Sequence, residues 1–204
     1  MQNCPYKKDD SSSRHPCKNS ASHMDILLAF SPFLSFMIGD RFLGHTQGLI
    51  AGALVAAALL IRDWMRSHTA PKVLEVGTFI LFSGLALYSL ALNPDWSVMI
   101  VRLLVDTGLL MIVLISLAIR QPFTLQYARE RVDRKFWNSP KFLRTNDVIT
   151  AVWGAAFAIM VLTDVVILYF PDTGTISTIA TVLALITAVK FTAWYPDRVA
   201  QQAK

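Results

Sequence analysis

The chain has 204 residues, of which 54% are hydrophobic and only 16% charged, and its mean hydropathy is +0.46, more apolar than a water-soluble domain of this size requires. Its formal net charge is +5 with a pI near 9.4. The bases sit in short loops beside apolar runs, so lipid head groups, not nucleic acid, are their expected partner.

Residues 1–24 form a polar opening rich in Ser, Lys and Asp without helical or strand periodicity, read as a disordered tail or a tag. The segment lacks the apolar run of a signal peptide, and Ser22-His23-Met24 reads as a cloning junction before a native start at Met24. Cys4, His15, Cys17 and His23 match no compact ligand spacing, so no metal or other cofactor is expected.

Six apolar segments follow within a membrane domain over 25–196, with spans near 26–43, 45–61, 73–92, 97–119, 148–170 and 176–195. The last four have the roughly twenty residues that a helical crossing needs. The first two are shorter, and Pro32 is expected to kink the first. They read as two full helices or as a shallow re-entrant pair, the former preferred. On the second, Gly44, Gly48, Gly52 and Ala56 recur every four residues, and Ala180, Ala184 and Ala188 repeat this on the sixth. Such rows let helix backbones approach, either within one chain or between two copies.

Orientation comes from the loops. Arg62, Arg66 and Lys72 lie in one connection and Arg120, Arg129, Arg131, Arg134, Lys135, Lys141 and Arg144 in another, while the alternate loops hold Asp40, Asp95, Asp172 and a single base, Arg41. An even number of spans puts all the other loop and tail bases on the cytoplasmic side, with both termini and a short tail over 197–204. Trp64 and Trp194 at inner ends, and Trp96 and Tyr169 at outer ends, suit interfacial belts. The expected fold is an all-α polytopic bundle of about six transmembrane helices.

Four ionisable residues fall well inside the spans: Arg102, Asp106, Asp164 and Lys190. At about 1.5 Å per residue, Arg102 and Asp164 lie roughly 8 to 9 Å from the outer ends of their helices, and Asp106 lies near the midplane. Arg102 and Asp106 are four apart on one face, so an intrahelical pair is available. Two readings stand: a structural clamp of Arg102, Asp106 and Asp164, or an ion- or proton-responsive site in which an aspartate changes protonation. Lys190 is close enough to the cytoplasmic end to snorkel. Glu75, at the inner end of the third span, has Lys190 or a loop base as its expected partner.

In the 121–147 loop, Leu125, Ala128, Val132 and Phe136 recur at helical spacing while Arg129, Arg131, Arg134 and Lys135 fall on the other side. That pattern predicts an amphipathic helix lying in the interface, with its bases over anionic phospholipids. The spans contain no histidine, and the chain has no Ser/His/Asp set, phosphate loop or Cys/His ligand pairs, so an enzyme is not the expected reading.

Phe30-Ser-Pro-Phe-Leu-Ser-Phe, the short first hairpin, the basic turn, Arg120-Gln-Pro-Phe closing the fourth span and Asn146 through Trp153 opening the fifth resemble the bacterial intracellular septation protein A family. The resemblance covers about residues 25 to 196, and Gln121-Pro-Phe-Thr-Leu-Gln-Tyr-Ala-Arg-Glu is similar to related uncharacterised membrane proteins. It implies a bacterial inner-membrane protein tied to envelope integrity and division, without a known reaction, whose partners are envelope or division proteins or a second copy of the chain. The alternatives are a small transporter or channel component using Arg102, Asp106 and Asp164, and, more distantly, a lipid-modifying enzyme.

Overall fold

The long apolar runs fold as helices because a backbone without water must satisfy its own hydrogen bonds. In the computed structural model, residues 28–67, 72–92, 97–130 and 132–201 are described, and they contain helices and no strand. In chain order the helices are α1 (Ser31–Leu43), α2 (His45–Ser67), α3 (Val73–Leu92), α4 (Val98–Ala118), α5 (Phe123–Arg129), α6 (Pro140–Tyr169) and α7 (Gly174–Gln201). Among the described residues, five stretches are long and apolar enough to cross a bilayer: His45–Met65, Val73–Leu92, Val98–Ala118, Pro140–Tyr169 and Pro171–Val199.

The first of the six expected spans is not among these five. Leu28 and Ala29 are helical as well, and the helix breaks at Phe30, just ahead of Pro32, which sits in the first turn of α1, where its missing N–H costs no intrahelical bond. The 13 residues of α1 rise only about 20 Å against a hydrocarbon core of about 30 Å. Gly44, at φ +103°, closes the turn into α2 in a conformation that favours glycine.

Helix α1 lies against α2, α2 against α3, α3 against α4, α4 against α6 and α6 against α7, and the short α5 docks on α6. At Gly48 an added Cβ would come 2.6 Å from the Asp40 backbone nitrogen, and at Gly52 it would meet the Phe82 ring at 2.9 Å. Both glycines therefore face helices of the same chain. Ala56 and Ala188 are fully buried, and Ala180 and Ala184 are half-buried.

Two apolar clusters make the core. One joins Leu74, Leu109, Val113, Phe123, Tyr127, Ile149, Trp153, Phe157 and Ala188. The other joins Leu49, Phe82, Ala86, Val101 and Val105, and Phe33 packs on both. Phe30, just ahead of α1, stacks on Trp153 of α6 with ring centroids 4.9 Å apart, so the short helix is anchored across the bundle.

The 121–147 segment departs from a single amphipathic helix. Helix α5 ends at Arg129, a 3-10 turn follows over Arg134–Phe136, and α6 already begins at Pro140. Leu125 and Tyr127 are buried in the protein, while Phe136 is exposed. The Thr124 hydroxyl lies 2.7 Å from that of Thr150 and donates to the Asn146 carbonyl at 3.0 Å, which turns α5 inward onto α6.

Candidate functional site

The turns of α4 that bury Val101, Val105 and Leu109 also bury Asp106, at 6% exposure. Asp164 of α6 is more enclosed still, at 1%. The Arg102 Nε lies 2.8 Å from Asp164 Oδ1, so the guanidinium joins α4 to α6. Helical spacing alone suggests Asp106 as its partner; the structure pairs Arg102 with Asp164 and sets the Asp106 carboxyl beside that of Asp164. Asp106 Oδ2 and both Asp164 carboxylate oxygens accept no aligned hydrogen bond among the described residues. The Arg102 contact is thus one of charge and distance. One guanidinium facing two carboxyls leaves a formal charge of −1 unless a proton or cation joins them. Next to Asp164, the hydroxyls of Thr163 and Thr181 lie 3.1 Å apart and tie α6 to α7.

A second buried charge set lies at the other end of the bundle. Lys72, 8% exposed, places its ammonium 2.6 Å from Asp63 Oδ2, 3.1 Å from Glu130 Oε1 and 3.6 Å from Glu75 Oε1. It also lies 4.7 Å from the centre of the Tyr127 ring. Arg62 binds the other oxygen of Asp63 at 2.9 Å, and the Val73 N–H donates to Gln126 Oε1 at 2.7 Å. The ends of α2, α3 and α5 therefore meet on one lysine, which puts the two basic connections, 62–72 and 120–147, at the same end.

Burial alone would lower the Lys72 pKa, but the Asp63 hydrogen bond and the charges of Glu75 and Glu130 outweigh it and raise it above the ordinary value. Burial, and then the negative charge of Glu75, Asp63 and Glu130, pushes the Tyr127 hydroxyl well above its ordinary range. Tyr127 therefore stays protonated and can donate to Glu75 Oε1, 3.5 Å away. Glu75 is 2% exposed, and its Oε2 has no hydrogen-bond partner among the described residues.

Glu75 is thus joined to Lys72 of its own helix end and not to Lys190, which is exposed on α7. The i,i+3 spacing of Lys72 and Glu75 was the available sequence signal for this pair. Among the loop bases, Arg129 and Arg134 lie 5.5 and 5.7 Å from the Trp137 ring centre. Lys135 pairs with Asp133 at 3.4 Å, and Arg131 lies outside the described residues.

Between the two charge sets, Leu109 and Val113 on α4 and Trp153 and Phe157 on α6 are buried in one apolar cluster. A surface groove of about 270 Å³ runs between α3 and α4 and is lined by Val73, Val76, Gly77, Ile112 and Ile115. None of the charged residues lines it. No family model, curated protein or solved structure matches the chain.

Proposed function

We propose that this chain is a non-enzymatic multi-pass scaffold of a bacterial inner membrane, serving envelope maintenance as its resemblance to the septation protein A family implies. The basic end, with both termini, faces the cytoplasm. α1 and the residues before it complete a sixth crossing alongside α2. The observation that carries the reading is the separation of the two charge sets by Leu109, Val113, Trp153 and Phe157. Each set joins helices locally, Arg102 with Asp164 at one end and Lys72 with Asp63, Glu75 and Glu130 at the other.

The exposed Arg134 and Lys135, with Arg129 and Arg131 of the same segment, are the contact for anionic phospholipids. Envelope or division proteins, or a second copy of the chain, are the partners such a scaffold would hold. The amphipathic pattern works here as a docked platform: its inner side is covered by α6 and its cations point to the head groups.

A bacterial strain that depends on this chain for envelope integrity tests the proposal. Asp164→Asn is expected to complement fully, because an amide keeps the shape and Asp106 still faces Arg102. Replacing Arg129, Arg131, Arg134 and Lys135 together by Gln is expected to abolish complementation while the protein still accumulates in the membrane. The opposite pattern would overturn the scaffold.

One observation favours a second reading. The oxygens of Asp106 and Asp164 that accept no hydrogen bond among the described residues are what a small transporter or channel component would use to take up a proton or cation.

A further inference from the structure

The basic end of α7 carries a charged stripe that neither buried set uses. α7 packs inward through Ser177, Thr181 and Ala188, all buried. At 100° per residue, Lys190 points almost directly away from that face, Trp194 follows four residues later further round the outer side, and Arg198 lies at its flank, past Pro196. Lys190 and Arg198 are exposed, as is Trp194 at 51%. The Arg198 guanidinium lies 4.9 Å from the Trp194 ring centre. Lys190 has no ion pair or hydrogen bond among the described residues.

Depth gives the stripe its meaning. Measured from Gly174 at the start of α7, Lys190 lies about 24 Å along the axis, Trp194 about 30 Å and Arg198 about 36 Å. With a hydrocarbon core of about 30 Å, Lys190 is within snorkelling reach of the boundary, Trp194 is at it and Arg198 is among the head groups. All three side chains can converge on one layer, where lipid phosphates lie. Leu183 and Ile186, exposed one to two turns deeper, offer an apolar wall for the acyl chains. Asp197 is also exposed on this side, so the stripe keeps one net positive charge.

We propose that Lys190, Trp194 and Arg198 form a binding site for the phosphate of an anionic phospholipid, distinct from the basic platform around Trp137. The proposal rests on α7 crossing the bilayer, and not on the platform. An unpaired lysine on a lipid-facing surface has no protein acceptor to satisfy it, and a phosphate supplies one. A zwitterionic lipid brings its own cation to the same place, and the net positive stripe disfavours it.

The test uses the full chain in phosphatidylcholine vesicles containing a minor fraction of phosphatidylglycerol, with either lipid brominated in its acyl chains. Trp194→Phe and Trp137→Phe assign the quenching to each site. Brominated phosphatidylglycerol is expected to quench Trp194 several-fold more than its share of the lipid predicts. Lys190→Gln with Arg198→Gln should bring that preference to about one, whereas Lys190→Arg should keep it. The substituted side chains are exposed, and unchanged helical circular dichroism verifies the fold. A Trp194 preference that survives the double substitution, or vanishes only when the loop bases are replaced, overturns the site. Preference at Trp137 but not at Trp194 overturns it and leaves the platform standing; preference at neither overturns both. Relief of quenching by inorganic phosphate, beyond a chloride control of equal ionic strength, would make this a free-anion site and overturn the lipid assignment.

Discussion

Arg102→Ala will lower the unfolding free energy of the chain in detergent micelles by about 3–5 kcal/mol, the range for removing one partner of a buried ion pair. Among the described residues the guanidinium is the only cation placed against Asp164, at 2.8 Å, and Asp106 lies beside the same group. Its loss leaves two enclosed carboxyls facing each other across α4 and α6. Replacing all three polar groups together, Arg102→Leu with Asp106→Asn and Asp164→Asn, should recover most of the loss, because no uncompensated charge remains. Unfolding followed by circular dichroism in increasing sodium dodecyl sulfate checks both outcomes. A single substitution without effect would mean that the pair does not hold the two helices.

Lys72→Met is expected to cost about 3 kcal/mol, since Asp63, Glu75 and Glu130 lose a shared cation and Glu75 cannot turn to water. The pH dependence has a definite sign. The folded state raises the Lys72 pKa above the ordinary 10.5, so its contribution is complete below that value and is lost as pH climbs through the raised one. Wild-type stability should therefore fall on the alkaline side of 10.5, and Lys72→Met should show a smaller fall. The substitution should also free the 120–137 segment, because the Lys72 contact to Glu130 at 3.1 Å holds α5 to the ends of α2 and α3. Faster proteolysis after Arg129 or Arg134 would report that release.

Membrane character was legible because four apolar runs alone exceed what a crossing needs. Boundaries were less so, since a helix does not stop where its apolar sequence stops. α6 begins at Pro140 rather than 148, and Thr145 and Asn146 support the polar turns by donating to the carbonyls of Lys141 and Phe142. The first apolar run is broken at Phe30, between helical residues 28–29 and α1, where Pro32 enters the first turn. In the 121–147 loop, helical spacing showed that Leu125 lies on an apolar side. It could not show that α6, not lipid, covers that side.

The charged sites divide along the same line. Arg102, Asp106 and Asp164 could be grouped from depth alone, because a charge inside an apolar run narrows its partners to others at the same level. Which aspartate takes the guanidinium depends on how α4 and α6 are rotated, and periodicity does not carry that information. The Lys72 set was harder to see. Its Asp63 and Glu130 come from separate helices, and only the Lys72 and Glu75 spacing was local.

The clamp reading and the conducting reading divide on whether anything passes between the two charge sets. The most direct measurement is proton and cation flux in liposomes holding the purified chain under an imposed pH gradient and membrane potential, with Asp106→Asn and Asp164→Asn alongside. A scaffold closed by Leu109, Val113, Trp153 and Phe157 predicts leakage no greater than that of protein-free liposomes for all three proteins. Wild-type flux that either substitution abolishes, with the protein still folded, would contradict it and make Asp106 and Asp164 a transport site.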